Sequence, residues 1–237
     1  MSASFIYNTD INSLATKAVS LLFNFVSSHC NEKQLVIGVS GGRSIIPILE
    51  KLIEKRDELV IESWRRLEFF LIDERIVEPD SEHCNFLPVG KFFQQLVYGG
   101  FLSNQQLHPF RCNLANPEEG IRSYQRELEL LGGRFEAIIL GVGEDGHIAA
   151  LFPNRFLVSD TESKFIIINN APKPPPERMS CSANLITAAN FAIALFFGEA
   201  KRNALKSYFE DTTDVVDCPA KLVNAVSQSY VLSDIKP

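Results

Sequence analysis

Cysteine is scarce in this 237-residue chain and carries no pairing pattern. The five residues Cys30, Cys84, Cys112, Cys181 and Cys218 are odd in number and widely spaced, with no C-x-x-C. That usage fits reduced thiols and a cytoplasmic setting, not a disulfide framework. Histidine is scarcer still: His29, His83, His108 and His147 include no i, i+4 pair and no zinc-type spacing with cysteine. His83 with Cys84 could open a metal corner, but nothing nearby completes it, so no metal is expected. A positive charge excess is also missing. The balance of 23 Lys+Arg against 29 Asp+Glu, a net −6, disfavours nucleic acid as a partner. No apolar run approaches the ~20 residues that a bilayer requires, so no membrane partner is expected. Met1 to Asp10 lacks the basic and apolar regions of a signal peptide. Internal repeats and low-complexity tracts are absent too.

The chain does have a 46% apolar fraction, too high for a disordered polymer, and a length suited to one globular domain over 1–237. Helical spacing runs over 10–28 with Asp10 as N-cap, and over Ser44–Arg56 with Pro47 in the first turn. His83–Val97 reads as partly helical, interrupted by Pro88. Asn116-Pro117-Glu118-Glu119 combines a cap, a proline and first-turn acids, and its helix runs to Leu131 and stops at Gly132-Gly133. Ala200–Phe209 is the last clear helix. Short apolar runs at Gln34–Val39, Leu67–Ile72, Phe135–Leu140, Lys164–Ile168 and Phe191–Phe197 read as strands. Strands alternating with helices predict an α/β fold, a mostly parallel sheet flanked by helices in the Rossmann-like manner.

In such a sheet the loops after the strands emerge at one carboxyl edge, where ligands bind. After the first strand comes Ser40-Gly41-Gly42-Arg43-Ser44, a glycine-rich turn into a helix that can admit an anion to backbone N–H groups. It lacks the spacing of a Walker A loop. After the second comes Asp73-Glu74-Arg75-Ile76-Val77, with Arg75 placed to face an anion and Asp73 to orient polar groups. After the third comes Gly141-Val142-Gly143-Glu144-Asp145-Gly146-His147. Its literal G-x-G-x-x-G is followed by Pro153, and the next strand ends in Asn169-Asn170 without an acid, so a dinucleotide is not expected. A histidine among glycines on the ligand rim suits a general base that later acts as acid, with Asp145 orienting His147. After the fourth, the proline-stiffened segment Lys173-Pro174-Pro175-Pro176-Glu177-Arg178 offers two more cations. Arg43, Arg75, Lys173 and Arg178 on one rim of an acidic protein point to a small anionic substrate, best a phosphate ester. Lys201, in the first turn of a helix where the macrodipole disfavours a cation, reads as a solvated lysine ahead of a further phosphate contact.

These four loops, with Asn85 and with Ile148-Ala149-Ala150-Leu151-Phe152-Pro153 after His147, resemble the 6-phosphogluconolactonase family over about residues 10–225. The related glucosamine-6-phosphate deaminases share the Asp-Gly-His core but typically continue with Phe-Asn-Glu-Pro, so Leu151-Phe152-Pro153 favours the lactonase branch. The resemblance implies the sugar-phosphate isomerase/lactonase type of α/β fold and hydrolysis of 6-phospho-D-glucono-1,5-lactone to 6-phosphogluconate, a step of the pentose phosphate pathway. It implies no cofactor and no metal. It implies that His147, with Asp145, takes a proton from water and returns it to the ring oxygen. Gly41, Gly42, Arg43, Asp73, Arg75, Lys173 and Arg178 would bind the substrate. Alternatives are a deaminase or isomerase acting on an amino-sugar phosphate, and a non-catalytic sugar-phosphate-binding protein. The chain departs from the family's usual pattern at Ala150, at Lys221 and over Ser229 to Pro237.

Overall fold

A computed structural model describes residues 2–30, 34–155, 162 and 164–237. In chain order its strands are β1 (Ser4–Tyr7), β2 (Leu35–Val39), β3 (Leu67–Leu71), β4 (Asp73–Arg75), β5 (Leu107–His108), β6 (Ala137–Gly141), β7 (Phe165–Ile168), β8 (Arg178–Cys181), β9 (Phe191–Phe196) and β10 (Gln228–Ser233). Its α-helices are α1 (Ile11–Ser28), α2 (Ile46–Glu54), α3 (Ile61–Trp64), α4 (Phe86–Tyr98), α5 (Pro117–Leu130), α6 (Ala183–Thr187) and α7 (Arg202–Phe209). Seven strands form one sheet in the order β1-β10-β9-β6-β2-β3-β5, and every pairing in it is parallel.

Alternation along the strands divides the core. Leu35, Ile37 and Val39 of β2 pack with α1, α2 and α4, beside Phe69, Ile139 and Ile193 from neighbouring strands. Val36, Phe70, Ile138 and Ala192 turn to the other face, toward Ile121, Tyr124 and Leu128 of α5 and Leu205 of α7. Both faces are therefore dry, which is why the central strands are unbroken apolar runs. Each such side chain contributes about 1.5–3 kcal/mol on burial. Asp10 caps α1 as expected, accepting from the Asn12 and Ser13 N–H groups at 3.1 and 3.0 Å. Pro47 lies in the first turn of α2. Pro88 does not interrupt its helix, because α4 begins at Phe86 and the proline falls in the first turn, where a missing N–H breaks no bond.

One topological expectation needs correction. The strand read at Lys164–Ile168 is not in the parallel sheet. As β7 it pairs antiparallel with β8, which pairs antiparallel with β4, giving a separate three-stranded sheet. A short apolar run shows that a strand is buried, not which sheet accepts it. The segment 169–177 is thus a hairpin connection and not a loop at the parallel edge. It still reaches that edge, because β4 follows β3 after a single residue and the Cys181 N–H donates to the Ile72 carbonyl at 2.8 Å.

Strand order reverses between β2 and β6. From that point the chain builds outward through β3 and β5 on one side and through β9 and β10 on the other, where the N-terminal β1 adds at the edge. The crevice between the loops after β2 and β6 is where an open α/β sheet takes its ligand.

Candidate active site

A cleft of about 190 Å³ opens at this crevice. Its floor is the junction of the two loops, where the Gly141 N–H donates to Ser40 Oγ at 2.9 Å. From the β2 loop come Gly41, Gly42 and Arg43; from β4, Asp73 and Arg75; from the β6 loop, His147; and from the hairpin, Lys173 and Arg178. Asp145 stands behind His147 and does not line the cleft. A larger groove of about 620 Å³ between α5 and β7 is mainly apolar at Ile121, Phe165 and Ile167, and holds none of these groups.

The β6 loop is a tight turn that presents one imidazole. The Gly143 N–H donates to the His147 carbonyl at 2.8 Å, and the Gly146 N–H to the Gly143 carbonyl at 3.1 Å. Asp145 Oδ1 accepts the His147 backbone N–H at 3.3 Å and lies 2.5 Å from Nδ1. With Nδ1 as the donor, the lone pair is left on Nε2. Burial pushes the Asp145 carboxyl up, but the hydrogen bond and charge of His147 outweigh it and hold it down at about 2. Phe152 packs on the imidazole, ring centroids 4.5 Å apart. A Cβ on Gly143 would collide with His147 Nδ1 and lie 2.8 Å from Asp145 Oδ1, so only glycine lets the ring settle here.

The cations are held apart from solvent to different degrees. Arg178 is buried, donates from Nε to the Pro175 carbonyl at 3.2 Å and from Nη2 to the Lys173 carbonyl at 3.0 Å, and lies over Phe152. Burial, and next the charge of Arg75, lower its pKa. Arg75 donates from Nη1 to the His83 carbonyl at 2.7 Å, while its buried Nε has no protein partner among the described residues. Lys173 is exposed, 4.0 Å from Glu144. Asp73 is buried; burial pushes its carboxyl up against the pull of Arg75 and Arg178. Asn85 donates from Nδ2 to the Asp73 carbonyl at 3.2 Å and to its Oδ2 at 3.3 Å. The Asn85 side chain crosses directly over Gly41, where a Cβ would lie 2.5 Å from that of the asparagine.

Lys201 is not the solvated lysine that its helical position suggested. It is 9% exposed, lines the cleft, and donates to Ser44 Oγ at 2.6 Å and the Leu195 carbonyl at 3.3 Å. Burial lowers its pKa to about 8, Arg43 adding to the effect and Asp234 opposing it. Nothing in the local sequence signals this, since the burial comes from β9 and the β2 loop. Lys221 turns away from the cleft to donate to the Glu210 and Thr213 carbonyls, both at 2.5 Å. Ala150 is buried, its N–H donating to Ser180 Oγ at 3.0 Å. The atypical C-terminal stretch supplies β10. Among the described residues no His, Cys, Asp and Glu groups of three or more are placed to hold a metal ion, and no helix is long and apolar enough to cross a membrane.

The family described as glucosamine-6-phosphate isomerases/6-phosphogluconolactonase matches residues 9–232. The chain belongs to this family. Within it, the chain is 31% identical over 234 residues to a 6-phosphogluconolactonase of Borreliella burgdorferi, covering 98% of this chain and 96% of that one. It is 28% identical over 179 residues to the 6-phosphogluconolactonase of Thermotoga maritima, covering 76% of each. A crystal structure of 6-phosphogluconolactonase from Thermotoga maritima shares the fold at a TM-score of 0.78 and 22% identity, over 98% of this chain and 99% of that one. One from Leishmania guyanensis does so at 0.79 and 17% identity, over 98% and 97%. The mostly parallel, helix-flanked sheet expected from the sequence is the fold of these lactonases.

Proposed function

We propose that this chain is a 6-phosphogluconolactonase, which hydrolyses 6-phospho-D-glucono-1,5-lactone to 6-phosphogluconate in the pentose phosphate pathway. One observation carries the reading. His147, backed by Asp145, and the cations Arg43, Arg75, Lys173, Arg178 and Lys201 converge on a single cleft from segments far apart in the chain. A phosphorylated ester needs both halves, an anion clamp and a base beside the acyl carbon.

Chemically, Asp145 accepts the Nδ1 proton and so keeps the Nε2 lone pair available. Nε2 takes a proton from water as the water oxygen bonds to C1 of the lactone. The carbonyl oxygen becomes an oxyanion, for which the Gly41 and Gly42 backbone at the cleft wall offers N–H donors. When the C1=O bond re-forms, the C1–ring oxygen bond breaks, and the imidazolium returns its proton to the departing oxygen. The net change is addition of one water. Arg75, Arg178 and Lys201 hold the phosphate, Arg43 and Lys173 close the rim, and Asp73 accepts from sugar hydroxyls. A deaminase would need an acid just after Ala150; Leu151-Phe152-Pro153 offers none, and Phe152 is spent packing on His147.

The decisive assay is proton release from freshly prepared lactone, compared with its spontaneous hydrolysis. Acceleration by purified protein is expected. A protein that binds 6-phosphogluconate without accelerating the reaction would instead be a sugar-phosphate-binding protein.

A further inference from the structure

Glu74 lies between two pocket residues yet faces the other way. Along β4, Asp73 and Arg75 line the cleft while Glu74, 2% exposed, points beneath it. Its Oε1 accepts the N–H groups of Arg75 and Asn85, each at 2.7 Å. Its Oε2 accepts the Phe86 N–H at 2.8 Å and the Cys84 thiol at 3.4 Å. These partners are all donors, the surroundings a carboxylate needs. Asn85, Phe86 and their neighbours begin α4, whose first N–H groups have no partner within the helix. An asparagine that caps a helix with its side chain has an extended backbone, whereas Asn85 is helical at φ −65° and ψ −33°. Asn85 makes no side-chain capping bond, and its carboxamide is spent on Asp73 above Gly41.

We infer that Glu74 is a positioning residue: by binding the Asn85 and Phe86 N–H groups at the start of α4, it fixes the Asn85 carboxamide in the cleft against Asp73. The inference rests on the lactonase reading only in treating that cleft wall as a substrate contact. Loss of the Glu74 carboxylate would free the backbone at Asn85 and Phe86, and Asp73 would lose its partner. The effect falls on substrate binding more than on chemistry, because His147 and Asp145 sit on a different loop.

The test uses Glu74→Gln, which keeps Oε1 but sets an NH2 donor against the Phe86 N–H. KM for the lactone is expected to rise about tenfold, with a smaller fall in kcat. In Asn85→Ser the shorter side chain cannot reach Asp73, so KM rises by a similar factor. Adding Glu74→Gln to Asn85→Ser should then raise KM no further. A further multiplication of KM on that background, or a Glu74→Gln protein with normal KM and lowered Tm, would overturn the inference in favour of a purely structural role. If Glu74→Gln alone does not fold, the hydrogen-exchange measurement on the unaltered protein carries the test. In the unaltered protein, the Asn85 and Phe86 amide protons should resist hydrogen exchange far more than ordinary first-turn amides. Rapid exchange at both refutes the cap itself. That measurement requires no catalysis, so failure of the lactonase reading and failure of this one are separable.

Discussion

Arg75 and Arg178 stand directly opposite each other on the antiparallel strands β4 and β8. Two like charges in that register repel, and burial of Arg178 sharpens the cost. The pair makes physical sense if a dianion sits between them. The unpartnered Nε of Arg75 is a donor waiting for such a group. Arg75→Gln is therefore expected to raise KM for the lactone by at least about tenfold while changing the Tm of the ligand-free protein little. In thermal melts, millimolar 6-phosphogluconate should raise Tm of the unaltered protein and fail to raise that of the variant. An equal ligand-induced shift in both would place the phosphate elsewhere.

In the proposed mechanism His147 and Asp145 carry different parts of the chemistry and should fail differently. His147→Ala removes the proton acceptor and is expected to lower kcat by about 10²–10⁴-fold with KM nearly constant. Asp145→Asn keeps the imidazole but loses the carboxylate that selects its tautomer, so kcat should fall by an intermediate factor. Steady-state kinetics on both variants, with circular dichroism to confirm folding, decide the point. A fully active His147→Ala protein would remove the imidazole from the mechanism.

If Lys201 holds the phosphate as proposed, it gives the site a predictable alkaline limb. Its ammonium is charged below about pH 8 and lost above it, while the substrate phosphate is already a dianion in this range. Attraction between them is thus present below pH 8 and weakens as pH rises. KM should climb from about pH 8 upward, and in Lys201→Met it should be higher throughout and flat across the same range. The product's inhibition constant, measured from pH 6.5 to 9, avoids the base-catalysed decay of the lactone.

Much of this arrangement is legible in residue order. β2, β3, β6 and β9 are central strands with both faces buried, so each is an apolar run that stands out from its neighbours. The loops after β2, β3 and β6 then fall at one edge by topology. What stays hidden depends on contacts between distant segments. Gln228–Ser233 mixes polar and apolar residues and joins the sheet only because β9 and β1 flank it. The three-residue β4 is charged and becomes a strand by pairing with β8. For the same reason the facing of Arg75 and Arg178, the burial of Lys201 and the bonding of Asn85 to Asp73 cannot be read from local pattern.

Gly143 offers the sharpest test of how the imidazole is seated. Its Cα lies against the edge of the His147 ring that carries Nδ1, with Phe152 also packed on the ring and Asp145 bonded to Nδ1. The backbone at Gly143 is not in the positive-φ region, so alanine is compatible with the chain and it is the His147 ring and the Asp145 carboxylate that must give way. Gly143→Ala would push the imidazole away from Asp145 while leaving the cations of the cleft in place. The expected outcome is a fall in kcat of about 10²-fold or more with KM and Tm close to those of the unaltered protein. The His147 Nδ1 proton, visible as a far-downfield resonance when hydrogen-bonded to the carboxylate, should also be lost in the variant. Retention of both the resonance and full kcat would mean that the turn can absorb a methyl group, and that the seating of His147 does not depend on glycine at this position.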